Sequence, residues 1–316
     1  MSPRVTRRDL ARLAGLAALA GPLSPPAAAA PRARVALATL TAESLTPATA
    51  RTALEKALVA ATGAASAGAA LRALFKSTDT VGIKLNCLAG RGMSPRPELV
   101  EALAALLGEA GLSRDRIIVF ERSARELRRA GFTPGERDSY RCVPIDNDYD
   151  PEPSTSGSIG SCFARLASTT CTALVSFGVV KDHDLAGISC GAKNWYGIIH
   201  NPNKYHDGNC DPYLADLLRH PYVRHKVRLN ILDGVTAQCH GGPAYRPDAT
   251  WPLGQLAVST DLLAADAWAW QVIDAERVRR RLPTLAAAGR PPRWLATAQQ
   301  YGLGTGDPTQ VEIVRA

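Results

Sequence analysis

The sequence predicts an α/β fold, a mostly parallel sheet flanked by helices and Rossmann-like in plan. Three observations predict it. Apolar runs such as DTVGIKLNCL at 79–88 and ALVSFGVV at 173–180 are near-continuous, as strands buried on both faces require. Ala/Leu-rich segments with helical start and stop residues lie between such runs. The resulting rhythm of strand, helix, strand, helix is that of parallel βαβ units.

Residues 1–30 stand outside this plan. A basic start (Arg4, Arg7, Arg8) leads into LARLAGLAALAGPL and a run of alanines ending at Ala30. That is the layout of an export signal, with an apolar stretch too short for a membrane span. Thr6-Arg7-Arg8-Asp9-Leu10 resembles a twin-arginine signal, which implies passage of the folded chain through the twin-arginine translocase to the periplasm or beyond.

The elements of the mature part follow in order. ARVALATL at 33–40 reads as a first strand, and 47–76 as a helix. DTVGIKLNCL at 79–88 is a second strand, ending in the turn AGRGMSPRP. A helix over 97–111 starts on a proline and stops at Gly111. RIIVFE at 116–121 is a third strand, and SARELRRAG a short helix closed by Gly131. The polar, Pro/Ser/Gly-rich stretch 146–161 reads as an excursion, and as the place where two lobes would divide if 31–316 is not one domain. ALVSFGVV then delivers the chain into the loop 181–210. DPYLADLLRH at 211–220 reads as a helix capped by Asp211, and KVRLNILDGV at 226–235 as a strand followed by the Gly/Pro-rich 236–247. GQLAVSTD at 254–261 is strand-like, and LLAADAWAWQVIDAERVRRR a helix capped by Asp261. A helix near 293–301 and a strand at 310–315 close the chain.

Composition narrows the function classes. With 316 residues, 46% hydrophobic and 21% charged, the chain has enough apolar content for a sizeable core and too little for a membrane bundle. Of the formal charge of +8, the four arginines and one aspartate of residues 1–30 account for +3, leaving +5. The basic residues are scattered, and ERSARELRR at 121–129 mixes both signs and reads as a solvated helix face, so no nucleic-acid footprint is expected. A basic pocket for a small anion remains open. The seven cysteines include no C-x-x-C, which leaves no iron–sulfur ferredoxin motif and room for one or two disulfides at most.

The chemistry concentrates in 181–211, KDHDLAGISCGAKNWYGIIHNPNKYHDGNCD, which holds three of the six histidines. In an open parallel sheet this loop and those at 88–97, 121–124 and 233–247 would share one edge. The expected neighbours are Lys84, Asn86, Cys87, Arg96, His183, Lys193, His206, Asp233 and His240. His183 lies between Asp182 and Asp184, and a carboxylate neighbour would raise its pKa for acid/base work or fix its tautomer for a metal. A half-buried Lys193 would bind an anion or act as a nucleophile. His206 and His200, with Cys190 or Cys210, would supply nitrogen and sulfur to a metal, although no familiar zinc spacing is present. Lys84, inside an apolar run, needs a partner or an edge position.

KLNC at 84–87, SPRPELVEAL at 94–103, DHDLAG at 182–187, GAKNWYGIIH at 191–200 and STDLLAAD at 259–266 resemble the exported branch of the domain of unknown function 362 family, over most of 33–315. A shorter similarity is more informative about chemistry. His183 to Lys193, HDLAGISCGAK, resembles the H-x-x-x-G-x-x-x-G-x-K stretch of the lactate racemase family, which holds a nickel-pincer nucleotide covalently on a lysine. By position, the resemblance implies that His183 is an acid/base group and Lys193 the tether. His206 or His200 would ligate the metal, and Arg96 in SPRP would hold a carboxylate. That family's second acid/base histidine has no counterpart in FERSARELRR, so a two-base racemase is not implied.

The expectation is therefore an exported metal- or cofactor-dependent enzyme for a small, carboxylate-bearing anion. His183 and Lys193 would be catalytic. Lys193, Lys84, Asn86, Arg96 and Gly191 would hold the cofactor, and His206, His200 and Cys190 a metal. The alternative is a non-catalytic periplasmic protein that binds a metal or ligand in the same pocket.

Overall fold

The computed structural model describes residues 32–316, which form one compact unit. The export signal expected over 1–30 lies outside the described residues. The main sheet contains β1 (Ala33–Thr39), β2 (Val81–Leu85), β3 (Ile117–Glu121), β4 (Gly135–Glu136) and β5 (Arg141–Pro144), while β6 (Ser154–Ser156) and β7 (Ile159–Ser161) pair as a separate hairpin. It continues with β8 (Ala173–His183), β9 (Gly187–Ile188), β10 (Val227–Gln238), β11 (Thr250–Trp251), β12 (Gln255–Ser259) and β13 (Val311–Arg315). The strand order is β13-β1-β12-β10-β8-β2-β3-β5-β4, with β9 appended to β8 and β11 to β10. β10, β8, β2, β3 and β5 run parallel, as do β1 and β13; β12 opposes both of its neighbours. The fold is therefore α/β with a mixed, mostly parallel sheet.

Both faces are covered, which is why the central strands lack polar alternation. One face packs α1 (Pro47–Thr62), α2 (Ala67–Leu74), α3 (Pro97–Glu109) and α4 (Ala124–Ala130) through Leu54, Leu58, Leu71, Leu99, Leu103 and Leu127. The other packs α5 (Tyr213–Arg219), α6 (Pro221–Arg224), α7 (Ala264–Arg279) and α8 (Trp294–Gln300) through Leu214, Leu217, Val223, Trp268, Ile273 and Trp294. Among the described residues, no single helix is long and apolar enough to cross a membrane.

Several boundaries differ from the sequence reading for local reasons. The helix expected over 47–76 is two. Gly63 takes a left-handed conformation (φ 71°) that stops α1, and Ser66 caps α2 by accepting from the Ala69 amide. Asp211 does not cap α5, which begins after Pro212 with no side-chain cap. Asp261 does accept from the amides of Leu263 and Ala264 at the head of α7. The stretch 146–161 leads from the end of β5 into the β6–β7 hairpin. β8 runs on to His183 and β10 to Gln238, so residues expected in loops are strand residues.

The topology places the site. From β2 the chain steps outward to β3 and β5, then returns to the other side of β2 as β8 and β10. The order reverses between β2 and β8, and the crevice beyond the carboxyl ends of two such strands is where open α/β sheets bind ligands.

Candidate functional site

Past the end of β8 the chain turns through β9 and lies back over the sheet. Three contacts hold this return. Asp266, in the first turn of α7, accepts from the amides of Gly191 (3.1 Å) and Ala192 (3.0 Å), while the Asn230 amide of β10 donates to the same carboxylate at 3.2 Å. Ser176 of β8 donates to the Gly191 carbonyl at 2.8 Å and accepts from Asn194 at 3.2 Å. Gly178 lets the loop touch the strand: a Cβ there would sit 2.5 Å from the Cys190 carbonyl oxygen. Gly178→Ala is accordingly expected to destabilise the fold by about 1–3 kcal/mol, since backbone and not a flexible side chain must move. An unchanged urea midpoint would contradict this tight seating. Burial raises Asp266 to about 7, and its three donors oppose that shift.

The loop so held encloses, with the ends of β2 and β3, a cavity of about 440 Å³. Its floor is polar. Lys84 comes from β2, on the same face as its register partners Phe120 and Ser176. Its ammonium donates to Glu121 Oε1 (2.7 Å), the Leu85 carbonyl (2.6 Å) and Asn194 Oδ1 (3.1 Å), and is 1% exposed. Glu121 also accepts from the amides of Cys87 (2.7 Å) and Arg122 (2.6 Å). The pair is complete in hydrogen bonds and neutral in charge. Glu121, read above with a solvated face, is therefore the buried counter-ion of Lys84. Asn86 accepts at Oδ1 from the buried Lys181 (3.2 Å), which turns its Nδ2 toward Ser189 Oγ (3.3 Å). Burial lowers Lys181 to about 8.

His183 closes one wall. Its Nδ1 accepts from the amides of Leu185 (3.1 Å) and Ala186 (3.3 Å). The Asp184 carboxylate also lies 3.1 Å from Nδ1, a separation that would suit an ion pair. Two amides already donate to that nitrogen, so it carries a lone pair and the contact is not a hydrogen bond. The imidazole is thus neutral with its proton on Nε2. Burial, with Lys193 and His206 nearby, lowers its pKa to about 2, where the sequence reading expected a carboxylate to raise it. Asp182 turns away to Arg290 (3.1 Å) and the Gly242 amide (2.9 Å).

Lys193 faces His183 across the cavity. Its Nζ lies 3.0 Å from His206 Nε2 and 3.8 Å from the centroid of the Tyr196 ring. His206 Nδ1 lies 3.0 Å from the Pro202 carbonyl, which can only accept, so Nδ1 carries the proton and Nε2 accepts from Lys193. The two imidazoles stack with centroids 5.5 Å apart. Burial lowers Lys193 to about 8. Three cationic and three carboxylate side chains line the cavity: Lys84, Arg122, Lys193, Glu121, Glu126 and Asp184. Among these cations Lys84 is neutralised by Glu121, whereas Lys193 has no carboxylate partner among the described residues.

Of the expected site residues, Lys84, Asn86, His183, Lys193 and His206 line this one cavity. The others lie outside its lining. Arg96 uses its guanidinium on Asp233 (2.8 Å) and Thr236 (2.8 Å). Gly191 is packed on Asn230 under the loop. Cys190 is buried with its thiol toward the Lys181 carbonyl (3.8 Å), and burial pushes its pKa up. His200 meets the Tyr149 ring edge-on at 5.4 Å. His240 is exposed. Among the described residues no three His, Cys, Asp or Glu side chains converge as a metal cluster, and all seven cysteines are free. The sequence reading missed Glu121, Asn194 and Ser189 as site residues. A carboxylate closing an apolar strand was a usable signal for Glu121, by the same logic that singled out Lys84.

A family model described as Domain of unknown function (DUF362) matches residues 81–271, a span that contains every residue lining the cavity. No curated protein matches the chain.

Proposed function

Because the chain belongs to the domain of unknown function 362 family, whose description carries no activity, we propose a function from the cavity itself: an exported enzyme that uses a cofactor anchored at Lys193 on a small, carboxylate-bearing molecule. The observation that carries this reading is the environment of Lys193. It is a 7%-exposed amine with no counter-ion among the described residues, its pKa lowered to about 8, donating to the lone pair of a neutral histidine. Such an amine is deprotonated in useful amount near neutrality and is suited to a covalent bond.

The donor set argues about what is anchored. A metal ion held by side chains of the described residues alone does not fit: among them His206 Nε2 is the one imidazole lone pair facing Lys193, the His183 Nδ1 lone pair is taken by two amides, and His200 and Cys190 are elsewhere. An organic group bound to Lys193 that brings its own metal ligands, as the nickel-pincer nucleotide does, needs only one protein donor, and His206 fits that role because the amine its Nε2 accepts from would then be taken up in the covalent bond. When bound, such a group would supply the redox-active centre that these side chains lack. The chain's own residues do the rest. Lys193 holds the group, His183 offers an Nε2–H to a substrate oxygen, and Asn86 and Ser189 add neutral donors near the end of β2.

Protein purified from its native host tests this directly. The expected result is a chain starting after Ala30, recovered from the periplasm or medium. It should carry added mass on the peptide that contains Lys193 and about one metal ion per chain. A mature chain of unmodified mass and no metal would overturn the reading.

One observation favours a second reading, a non-catalytic ligand-binding protein. His183 is locked neutral by the Leu185 and Ala186 amides, which suits a hydrogen-bond donor better than a proton carrier. Saturable binding of carboxylates without turnover would select it.

A further inference from the structure

Two of the largest exposed apolar side chains stand at the mouth of the polar cavity. Leu88, just past β2, is 52% exposed, and Leu185, just past β8, is 47% exposed; both line the cavity. Neither sits on a loose tip. Leu185 donates its amide to His183 Nδ1 (3.1 Å), and its carbonyl accepts from Asn209 (3.1 Å). Leu88 lies in a turn closed by the Gly90 amide on the Cys87 carbonyl (3.0 Å), and the Cys87 amide is held by Glu121. The same hydrogen bonds that shape the polar floor thus fix these two leucines in water. Single exposed leucines are ordinary. Two with pinned backbones, on either side of the β2–β8 crevice and continuous with one cavity, make an apolar rim over a polar floor.

We propose that the ligand of this cavity is an amphipathic small acid, whose carboxylate reaches the His183, Asn86 and Ser189 donors and whose alkyl or aryl portion lies between Leu88 and Leu185. This rests on the carboxylate reading above and narrows it. The two leucines then set specificity: they touch the part of the ligand that does not react. A short hydrophilic acid would satisfy the floor and leave both leucines wet. An apolar tail removes them and itself from water, at a gain of about 25 cal/mol per Å² of apolar surface covered.

The test is a calorimetric titration of the mature protein from its native host with acetate, butyrate, octanoate and octyltrimethylammonium. The expected result is binding of all three acids, with octanoate about tenfold tighter than butyrate or more, and no binding of the cation. In the L88S/L185S double variant octanoate should fall to the level of butyrate, with acetate unchanged. Both positions are half exposed, so the fold is expected to survive, and a matching thermal midpoint checks it. Equal affinity for all three acids, or an octanoate advantage that survives in the variant, would overturn this inference and leave the carboxylate reading standing. Binding of octyltrimethylammonium as tight as octanoate would show a merely greasy mouth and overturn it too. No binding of any acid would overturn both readings together.

Discussion

In protein without the anchored group, replacing Lys193 with methionine is expected to raise stability at pH 7 by about 1–2 kcal/mol, and in protein from the native host to abolish retention of that group. The first half follows from linkage. Lys193 falls from 10.5 in the open chain to about 8 in the fold, because burial disfavours its charge. Between pH 8 and 10.5 the unfolded chain therefore binds more protons at this site than the folded one, and stability rises with pH across that window. Below pH 8 the lysine is protonated in both states and the whole cost of burying it is present, on the order of 3 kcal/mol. Methionine fills a similar volume without charge. It gives up the bond to His206 and the contact with the Tyr196 ring, which offsets part of the gain. The advantage of the variant should thus be largest at pH 7 and shrink between pH 8 and 10, as urea midpoints at several pH values would show. The second half follows from chemistry, since a thioether forms no amide or imine. A variant that is less stable at pH 7, or that keeps the added mass of the native protein, would show Lys193 to be a structural residue.

What was legible from the chain, and what was not, divides along sequence distance. Strands buried on both faces announce themselves as continuous apolar runs, so the parallel core could be read, and the gathering of loops at one edge followed only from assuming a parallel sheet. Lys84 stood out because a lysine in such a run must have a partner. The partner did not stand out: Glu121 lies 37 positions on, and pairing at that range has no local signature. The same holds for Asp266, 75 positions from the Gly191 amide it fixes, and for Asp233, which takes Arg96 from 137 positions away. His183 shows the opposite failure, in which sequence neighbours are not neighbours in space. Because β8 runs on to His183, alternation turns Asp182 to the other side, where Arg290 holds it, and the backbone of the following turn occupies Nδ1. A reading that took 181–183 as loop could not see that. The direction of β12 was equally hidden, since an apolar run looks the same in a parallel or an antiparallel pair.

Glu121 is the residue whose loss should cost the fold most. Glu121→Ala leaves the Lys84 ammonium in a site 1% exposed without its carboxylate, and it takes the acceptor from the buried Cys87 amide and the half-buried Arg122 amide. Breaking one side of a buried ion pair costs about 3–5 kcal/mol, and each orphaned amide adds about 1–3 kcal/mol more. Marginal stability of the usual size would barely survive this, so a soluble Glu121→Ala protein with a urea midpoint near that of the wild type would refute the central placement of the pair. Glu121→Gln is the sharper variant. Its amide oxygen can still accept, so much of the hydrogen bonding is kept while one negative charge leaves the cavity floor. Lys84 is then no longer neutralised, and its positive charge is felt in the cavity. Carboxylates should bind Glu121→Gln more tightly than the wild type, with a gain that fades as salt is added. Equal or weaker binding by a folded Glu121→Gln protein would show that the ligand carboxylate does not feel the charge of the Lys84–Glu121 pair.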